Sequence, residues 1–229
     1  MRRRSLALAL VSAVSWGCAS VPKQPPGTPP SPETITREEP GGDAHDPHLA
    51  ALKRLVDEPW GYRQDRQEAL HVPMPDSPNW RRVRFYGMPT FAAFRYGDAH
   101  HAVIGVWVRA VEEGQPDDLA SCLANFEAWG EPRARSFRVK LDPATTSQVK
   151  FGKEKITVRS LDARIDSLFK RSSYAAAYAA YPLWPRTCAV VGIAVAAGDS
   201  LETARLVRDR YVKEGFKKLT RISSTVPKL

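Results

Sequence analysis

The chain has 229 residues and carries 34 Lys and Arg against 25 Asp and Glu, so its formal net charge is +9 at pH 7. Beyond the N-terminus, no segment is apolar over the roughly 20 residues that a membrane-spanning helix needs. The composition therefore excludes a body built of such helices, and we expect the body to be soluble. About 180 residues follow position 48, which suits a single domain with a substantial core.

The first 17 residues have the pattern of a secretory signal peptide. Residues 2–4 are arginines, and residues 6–14 form an apolar run that only Ser12 interrupts. The run is too short to span a bilayer, but it suits the apolar segment of a signal peptide. We therefore expect the chain to be exported.

The signal ends in Ser15-Trp16-Gly17-Cys18. Here the chain resembles the bacterial lipoproteins, whose lipobox places a small residue immediately before an invariant cysteine. The resemblance implies cleavage before Cys18, a diacylglycerol on its sulfur and acylation of its new amine; several acyl chains are needed because one chain holds a protein on a membrane only marginally. Ala19 follows instead of Asp, which in this family implies the outer membrane of a Gram-negative cell, on its periplasmic face. The alternatives are the inner membrane, or a secreted protein cut nearby without a lipid.

Residues 21–48 are rich in Pro, Gly and acidic residues and almost empty of large apolar ones. Such a segment cannot bury enough surface to fold, and its prolines keep it extended. The sequence thus predicts a signal peptide at 1–17, a lipidated cysteine with a disordered tether at 18–48, and one globular domain at 49–229.

The first part of the body predicts one helix and three strands. Residues 49–57 form a short helical stretch that ends before Pro59, and an irregular segment with four prolines follows. Aromatic and β-branched residues then predict strands near 82–87, 90–96 and 101–111, with turn residues between the last two.

The next element is a helix over 117–129. Asp117 and Asp118 suit its N-terminus because they oppose the positive end of the helix dipole. Apolar residues repeat there at helical spacing, and Gly130 and Pro132 are expected to stop the helix. Alternation over 137–141 predicts a strand.

The last third predicts further strands and a final helix. Residues 155–168 begin as an alternating strand but also fit a helix, and the interpretation stays open there. Residues 172–181 are expected to be a strand in a hairpin with the buried strand 187–196, although their alanines also favour a helix. Asp199 and Glu202 form a capping box for an amphipathic helix that ends near Leu219.

This order predicts the α+β class, with a mainly antiparallel sheet of about six strands packed by helices, possibly on both faces. The closing strand and the helix ending "EGFKKL" are similar to the end of PsbP-like domains. That resemblance implies a fold and, since those domains are mostly accessory binding proteins, a non-catalytic role. It carries over no functional residue.

Cys122 and Cys188 are a candidate disulfide. Cys122 shares a helix face with Leu119 and Phe126, and Cys188 lies on the strand face opposite Ala189. If the final helix covers the Ala189 face, the helix of Cys122 is left to cover the other one, and the two sulfurs could meet. Two buried thiols are the alternative. A structural zinc site is not expected, because neither cysteine has a close partner cysteine.

The body carries the whole positive charge, since the arginines of the signal balance the acidic tether. In an exported protein this excludes nucleic acid and leaves lipid headgroups, polysaccharide and peptidoglycan as anionic partners. The basic segments 81–84 and 133–140 are candidate contacts. A solvated basic face without a partner is the alternative.

The sequence holds no Gly-x-Ser-x-Gly elbow, no phosphate-binding glycine loop and no His-Glu-x-x-His motif. His45 and His48 lie beside Asp43 and Asp46 in the predicted tether, where ordering a metal site costs entropy. We therefore predict no metal site and no cofactor.

Five residues form a candidate functional surface. His100 and His101 follow a turn beside Asp98, which could orient one of them as a general base, although a polar turn is the alternative. Tyr181 and Trp184 lie in an aromatic loop that suits a partner or carbohydrate platform, or else caps the core.

The sequence therefore predicts a lipid-anchored envelope protein with a basic, non-catalytic binding or accessory domain. Its partner would be an unidentified envelope protein or an anionic envelope polymer. The rival is an envelope hydrolase that uses His100 or His101 with a carboxylate such as Asp98 or Glu127.

Overall fold

The structure is a computed structural model that describes residues 46–63, 70–83, 91–136, 138–166 and 171–221. The predicted signal peptide, Cys18 and the tether up to His45 lie outside the described residues. In chain order the elements are α1 (Pro47–Asp57), β1 (Trp60–Arg63), β2 (Leu70–Pro75), a 3-10 turn (Ser77–Asn79), β3 (Trp80–Val83), β4 (Phe91–Tyr96), β5 (Ala102–Ala110), α2 (Leu119–Ser136), β6 (Val139–Leu141), β7 (Thr145–Phe151), β8 (Glu154–Asp166), β9 (Arg171–Trp184), β10 (Thr187–Ala196), α3 (Leu201–Arg210), a π turn (Tyr211–Gly215), α4 (Phe216–Lys218) and β11 (Thr220–Arg221).

A large antiparallel sheet organises the fold. Its strand order is β3-β4-β5-β10-β9-β8-β6, and β7 also pairs with β8, so that this sheet has eight strands. Strand β8 is 13 residues long, which lets β7 pair along its first half and β6 along its second. A smaller sheet has the order β1-β2-β11. The predicted α+β class with a mainly antiparallel sheet is confirmed.

Helices cover both faces of the large sheet and create two cores. On β10, Ala189 and Val191 face a core shared with α1, α3 and the small sheet. Cys188 and Val190 face a second core under α2. A strand buried on both faces needs apolar residues at every position, which explains why the sequence of β10 is almost continuously apolar.

The alanine-rich segment is a strand, as predicted. Ala175, Ala177 and Ala179 face the first core, and Tyr174 and Tyr178 face the second. Burial on both sides decides against the helix that alanine propensity favours, because a central strand pairs with neighbours along its whole length. The part of the open segment that the structure describes, 155–166, is also a strand.

The predicted end of the second helix is wrong. α2 continues through Gly130 and Pro132 to Ser136. Its last turn is held by packing of Ala134 against Val139 and Leu141 of β6, and this tertiary contact outweighs the local cost of a helical proline. At the other end Asp118 does cap the helix, since it accepts the Ser121 N–H at 2.8 Å.

The segment predicted as irregular contains β1 and β2, which the prolines concealed. Pro73 and Pro75 lie in β2 opposite Tyr62 and Trp60 of β1. Proline cannot donate to a ladder, but the Pro73 carbonyl accepts the Tyr211 hydroxyl at 2.9 Å.

Other element bounds also shift from the prediction. The first strand of the large sheet begins at Trp80 and not at 82, and residues 84–87 of the predicted strand lie outside the described residues. Strand β7 was not predicted at all. The N-cap of the final helix is Ser200, whose side chain accepts the Thr203 N–H, and not Asp199. The first helix begins at Pro47, inside the predicted tether.

Candidate functional site

The predicted histidine pair follows the tight turn between β4 and β5. Gly97 and His100 have positive φ values of 65° and 54°, and the His101 N–H donates to the Tyr96 carbonyl at 3.2 Å. Asp98 is 83% exposed, and its carboxylate lies 3.8 Å from Arg95. The Asp98 carboxylate therefore lies beside an arginine, and the predicted role of Asp98 in orienting one of the two histidines stays a prediction.

The ring of His101 instead bonds to the ring of His48, whose sequence position had suggested a flexible tether. His48 is in the first turn of α1, where its N–H donates to the N-cap residue Asp46 at 2.9 Å. The two Nδ1 atoms of His48 and His101 are 2.6 Å apart, and His48 Nε2 lies 3.0 Å from the Ala196 carbonyl. We call the pair of His48 and His101 the histidine clasp.

The partners of the clasp fix its protons. A carbonyl only accepts, so His48 Nε2 carries a hydrogen and donates to Ala196. Neutral His48 then offers its Nδ1 lone pair to an Nδ1–H of His101, whose Nε2 is left as an acceptor. Burial, followed by the nearby charge of His48, lowers the pKa of His101 below 6.5. The clasp thus favours the neutral form of His101.

A second polar network holds α1 next to the clasp. Arg54 Nε donates to the Tyr96 hydroxyl at 3.3 Å, and that hydroxyl donates to the Asp76 carboxylate. Burial and the bond to Asp76 raise the pKa of Tyr96 to about 12, so the phenol keeps its proton. The network joins α1, β4 and the turn after β2.

The remaining predicted residues lie elsewhere. Tyr181 is fully buried, and its hydroxyl donates to the Phe216 carbonyl at 3.3 Å; it is a core residue and cannot serve as an exposed platform. Trp184 is partly buried and packs against the same core. Glu127 lies on α2, across the sheet from α1, where it accepts the Tyr178 hydroxyl at 2.8 Å. The structure therefore does not bring Glu127 to the histidines.

The hairpin of β7 and β8 presents a polar face that sequence reasoning missed. Its two-residue turn has Gly152 first, with φ 58°, as type II′ hairpins require. Val149, Phe151, Ile156 and Val158 of the hairpin point into the first core, so the alternate residues there point to the other side. This hairpin face consists of three cross-strand pairs: Thr146 with Arg159, Gln148 with Thr157, and Lys150 with Lys155.

The hairpin face changes character where α2 begins to cover it. Further along β8, Leu161, Ala163 and Ile165 point to the same side and are buried under α2. Before that point Lys150 and Lys155 are exposed. Alternating polar residues at 146, 148 and 150 were the signal that could have identified this face from the sequence.

Positive charge at the hairpin end is uncompensated. Lys150 and Lys155 are directly opposite each other, and Lys153 is exposed in the turn. Within the described parts of the chain, none of these three lysines has an ion-pair partner. By contrast, Lys140 on the neighbouring β6 lies 2.7 Å from Asp166.

The basic segments that the sequence suggested are largely paired. Arg81 lies 3.9 Å from Asp98, and Arg135 lies 3.0 Å from Glu131. Arg84 lies outside the described residues. Among the described residues, the three lysines of the β7–β8 hairpin are therefore a basic group without ion pairs that lies outside 81–84 and 133–140.

The described ranges contain neither a metal-binding cluster nor a membrane-spanning helix. In them, no group of three or more His, Cys, Asp or Glu is placed to hold a metal ion. No helix in these ranges has the length and apolar character to cross a membrane.

The chain matches no family model and no curated protein. Among solved structures it is similar to the solution structure of cyanobacterial PsbP (CyanoP) from Synechocystis sp. PCC 6803, with 8% sequence identity and a TM-score of 0.45. The match covers 71% of this chain and 92% of that one. At that level of similarity no function and no residue role passes from one protein to the other.

Proposed function

We propose that the chain is a lipid-anchored envelope lipoprotein whose body is a non-catalytic binding or accessory domain. The lipid is carried by Cys18, and residues 19–45 link it to α1. The partner is another component of the envelope with anionic character, since the body holds the whole net charge of +9.

One observation carries the non-catalytic part of this proposal. One of the two histidines that the rival hydrolase could use, His101, is committed to a bond with His48 that fastens α1 to the sheet. Its predicted carboxylate partner, Asp98, is beside Arg95. A general base needs a group that orients it and an open path to its substrate, and the clasp uses His101 for packing instead.

Replacement of Cys18 tests the anchor. We expect wild-type cells to incorporate labelled palmitate into the protein and to retain it in the membrane fraction, because several acyl chains hold a protein on a bilayer stably. Cys18→Ser should abolish labelling and move the protein to the soluble periplasmic fraction. Ser20→Ala, two residues away, is the matched control and should behave as wild type.

Two results would contradict the proposal. Retention of Cys18→Ser in the membrane, together with an unlabelled wild type, would remove the lipid anchor. Hydrolysis of isolated cell-wall sacculi by the purified protein, lost in a folded His101→Asn variant, would support the rival hydrolase in place of a binding domain.

A further inference from the structure

We infer that the hairpin face is a docking strip for an acidic glycan chain. The inference deepens the proposed function, on which it rests for the choice of an envelope partner. The strip consists of the three cross-strand pairs from Thr146 and Arg159 to Lys150 and Lys155. They span about 14 Å along the strands, given the rise of an extended chain.

The chemistry of the strip suits a charged carbohydrate. Two lysines without ion pairs lie at its outer end, and Gln148 and Thr157 follow. Arg159 at the inner end is 3.9 Å from Glu127 and donates to the Thr146 hydroxyl, so the free positive charge of the strip lies at the lysine end. Ammonium groups bind carboxylates by charge-assisted hydrogen bonds, and amide and hydroxyl groups can donate to and accept from sugar hydroxyls. An alternation of cations with neutral hydrogen-bonding groups therefore matches a polymer that carries both carboxylates and hydroxyls.

The apolar side chains of the hairpin argue against a bilayer as the partner. Val149, Phe151, Ile156 and Val158 all belong to the first core. Helices and loops that lie on membranes insert apolar side chains below the headgroups. The hairpin face offers none, so a polar polymer fits it better than a lipid surface.

The position of the strip in the fold agrees with this choice. Val158, Ala179 and Val191 lie at one level across β8, β9 and β10. β8 starts at Glu154, four residues before that level, next to the hairpin turn. β10 runs in the same direction and ends at Ala196, five residues beyond that level, where His48 binds. The hairpin turn is thus roughly 30 Å from the point where the tether joins. A body held by its α1 end would present the strip away from the membrane.

Repulsion between Lys150 and Lys155 destabilises the hairpin, and an anionic partner would relieve this repulsion. Like charges directly opposite on neighbouring strands destabilise a sheet. Lys150 and Lys155 hold that arrangement, and neither forms an ion pair with a described residue; the adjacent Glu154 points to the opposite face of the hairpin. An anionic ligand between them converts the repulsion into two favourable contacts.

Binding to a defined oligosaccharide tests the inference. We would measure calorimetric titration of the full chain, purified in detergent, with hexagalacturonate, which carries one carboxylate on each sugar. We expect binding that weakens with added salt and no binding to neutral maltohexaose. Because anchoring plays no part in this measurement, failure of the lipid anchor and failure of the strip are distinguishable.

Charge reversal in the strip should separate binding from folding. Lys155→Glu should weaken hexagalacturonate binding about tenfold or more. It should also raise the midpoint of thermal unfolding by about 1–4 °C, since opposite charges would then face each other. Lys53→Glu makes the same change of net charge on α1, where Lys53 is exposed, and should leave binding unchanged. Lys150→Gln provides a second, uncharged variant.

Three results would contradict the inference that the hairpin face binds an acidic glycan. They are equal binding of the two hexasaccharides, equal loss in Lys53→Glu and Lys155→Glu, and no binding of hexagalacturonate at all. Binding to phosphatidylglycerol vesicles or to polyglutamate that exceeds binding to the glycan would assign the face to a membrane or to an acidic protein instead.

Discussion

At the scale of single residues, two glycines with similar positive φ values have different neighbours. Gly152 and Gly198 have φ values of 58° and 56°, a region that only glycine adopts without strain. A Cβ on Gly152 would meet nothing within 4 Å, whereas a Cβ on Gly198 would overlap the ring of His48. The first position thus serves only the turn, and the second also leaves room for the histidine clasp.

Alanine at these two positions should give unequal losses of stability. Gly152→Ala should lower the free energy of unfolding by about 1 kcal/mol, the cost of a left-handed non-glycine residue. Gly198→Ala should cost about 2–4 kcal/mol, because His48 must also move and loses its hydrogen bonds to His101 and Ala196. Urea denaturation of both variants measures the difference. Equal losses would show that the clasp contributes nothing to stability.

At the scale of elements, α1 is fastened to the body at both ends. The histidine clasp holds its first turn. At its last turn Arg210 donates to the carbonyls of Leu55 and Glu58 at 2.7 and 2.8 Å, and its guanidinium lies 4.8 Å above the ring of Trp60. These bonds satisfy carbonyls that a helix end otherwise leaves unpaired. The described part of the domain therefore begins with a helix that is held to the body at both ends.

Attachment of α1 through His101 should make stability depend on pH. Burial lowers the pKa of His101 in the folded protein below 6.5, with Asp46 opposing and Arg54 and His100 adding to the effect of His48. Below about pH 6.5 the unfolded chain then binds more protons than the folded one. The free energy of unfolding should therefore fall as the pH decreases from 6.5, until it passes the folded pKa.

Urea unfolding between pH 7.5 and 5 measures this dependence. His101→Gln should be less stable at pH 7, by about 1 kcal/mol for the lost bond, and should show a shallower loss towards pH 5. The control is His71→Gln, a change in β2, where His71 packs against Tyr62; it should keep the wild-type slope. An identical slope in the His101 variant would rule out titration of the clasp.

At the scale of the whole molecule, a disulfide joins elements that are remote in sequence. The structure bonds Cys122 on α2 to Cys188 on β10, with the two Cα atoms 6.4 Å apart and a sequence separation of 66. Both side chains lie in the second core. The bond ties α2 to the centre of the large sheet, and it restricts the unfolded chain through a long loop.

Removal of this bond should cost about 4 kcal/mol in the chain-entropy description of a loop of this length. We expect Cys122→Ala/Cys188→Ala to unfold at a lower urea concentration than wild type. Reductant should lower the midpoint of wild type and leave the double variant unchanged. Two alkylatable thiols in unfolded, unreduced protein from the oxidising compartment would refute the bridge.

Charge is also distributed at the scale of the whole molecule. The acidic side chains of the body are used in ion pairs that join elements, such as Asp162 of β8 with Arg205 and Arg208 of α3. Such pairs neutralise arginines near the middle of the sheet. At the hairpin end, Lys150 and Lys155 have no such partner in the described chain. Together with Lys153 of the turn, they form a group of three exposed lysines at that end of the sheet.

The sequence by itself determined the features that depend on local periodicity. The alternation along 187–196 and the helical spacing around Cys122 predicted the face of each element on which its cysteine lies. In the structure both cysteines lie in the second core. The α+β class and the strand at 172–181 followed in the same way. These features are local because the direction of a side chain relative to its own element repeats every 2 or 3.6 residues.

Only the tertiary structure decided which remote residues meet. His48 and His101 are 53 residues apart, and no pattern along the chain indicates that α1 returns to the start of β5. In the same way, α2 continues past Pro132 because β6 packs on its last turn. Lys150 of β7 lies opposite Lys155 of β8 only in the observed register of the two strands. Strand order and register set these contacts. They depend on how the whole chain buries its apolar surface, which no local segment encodes.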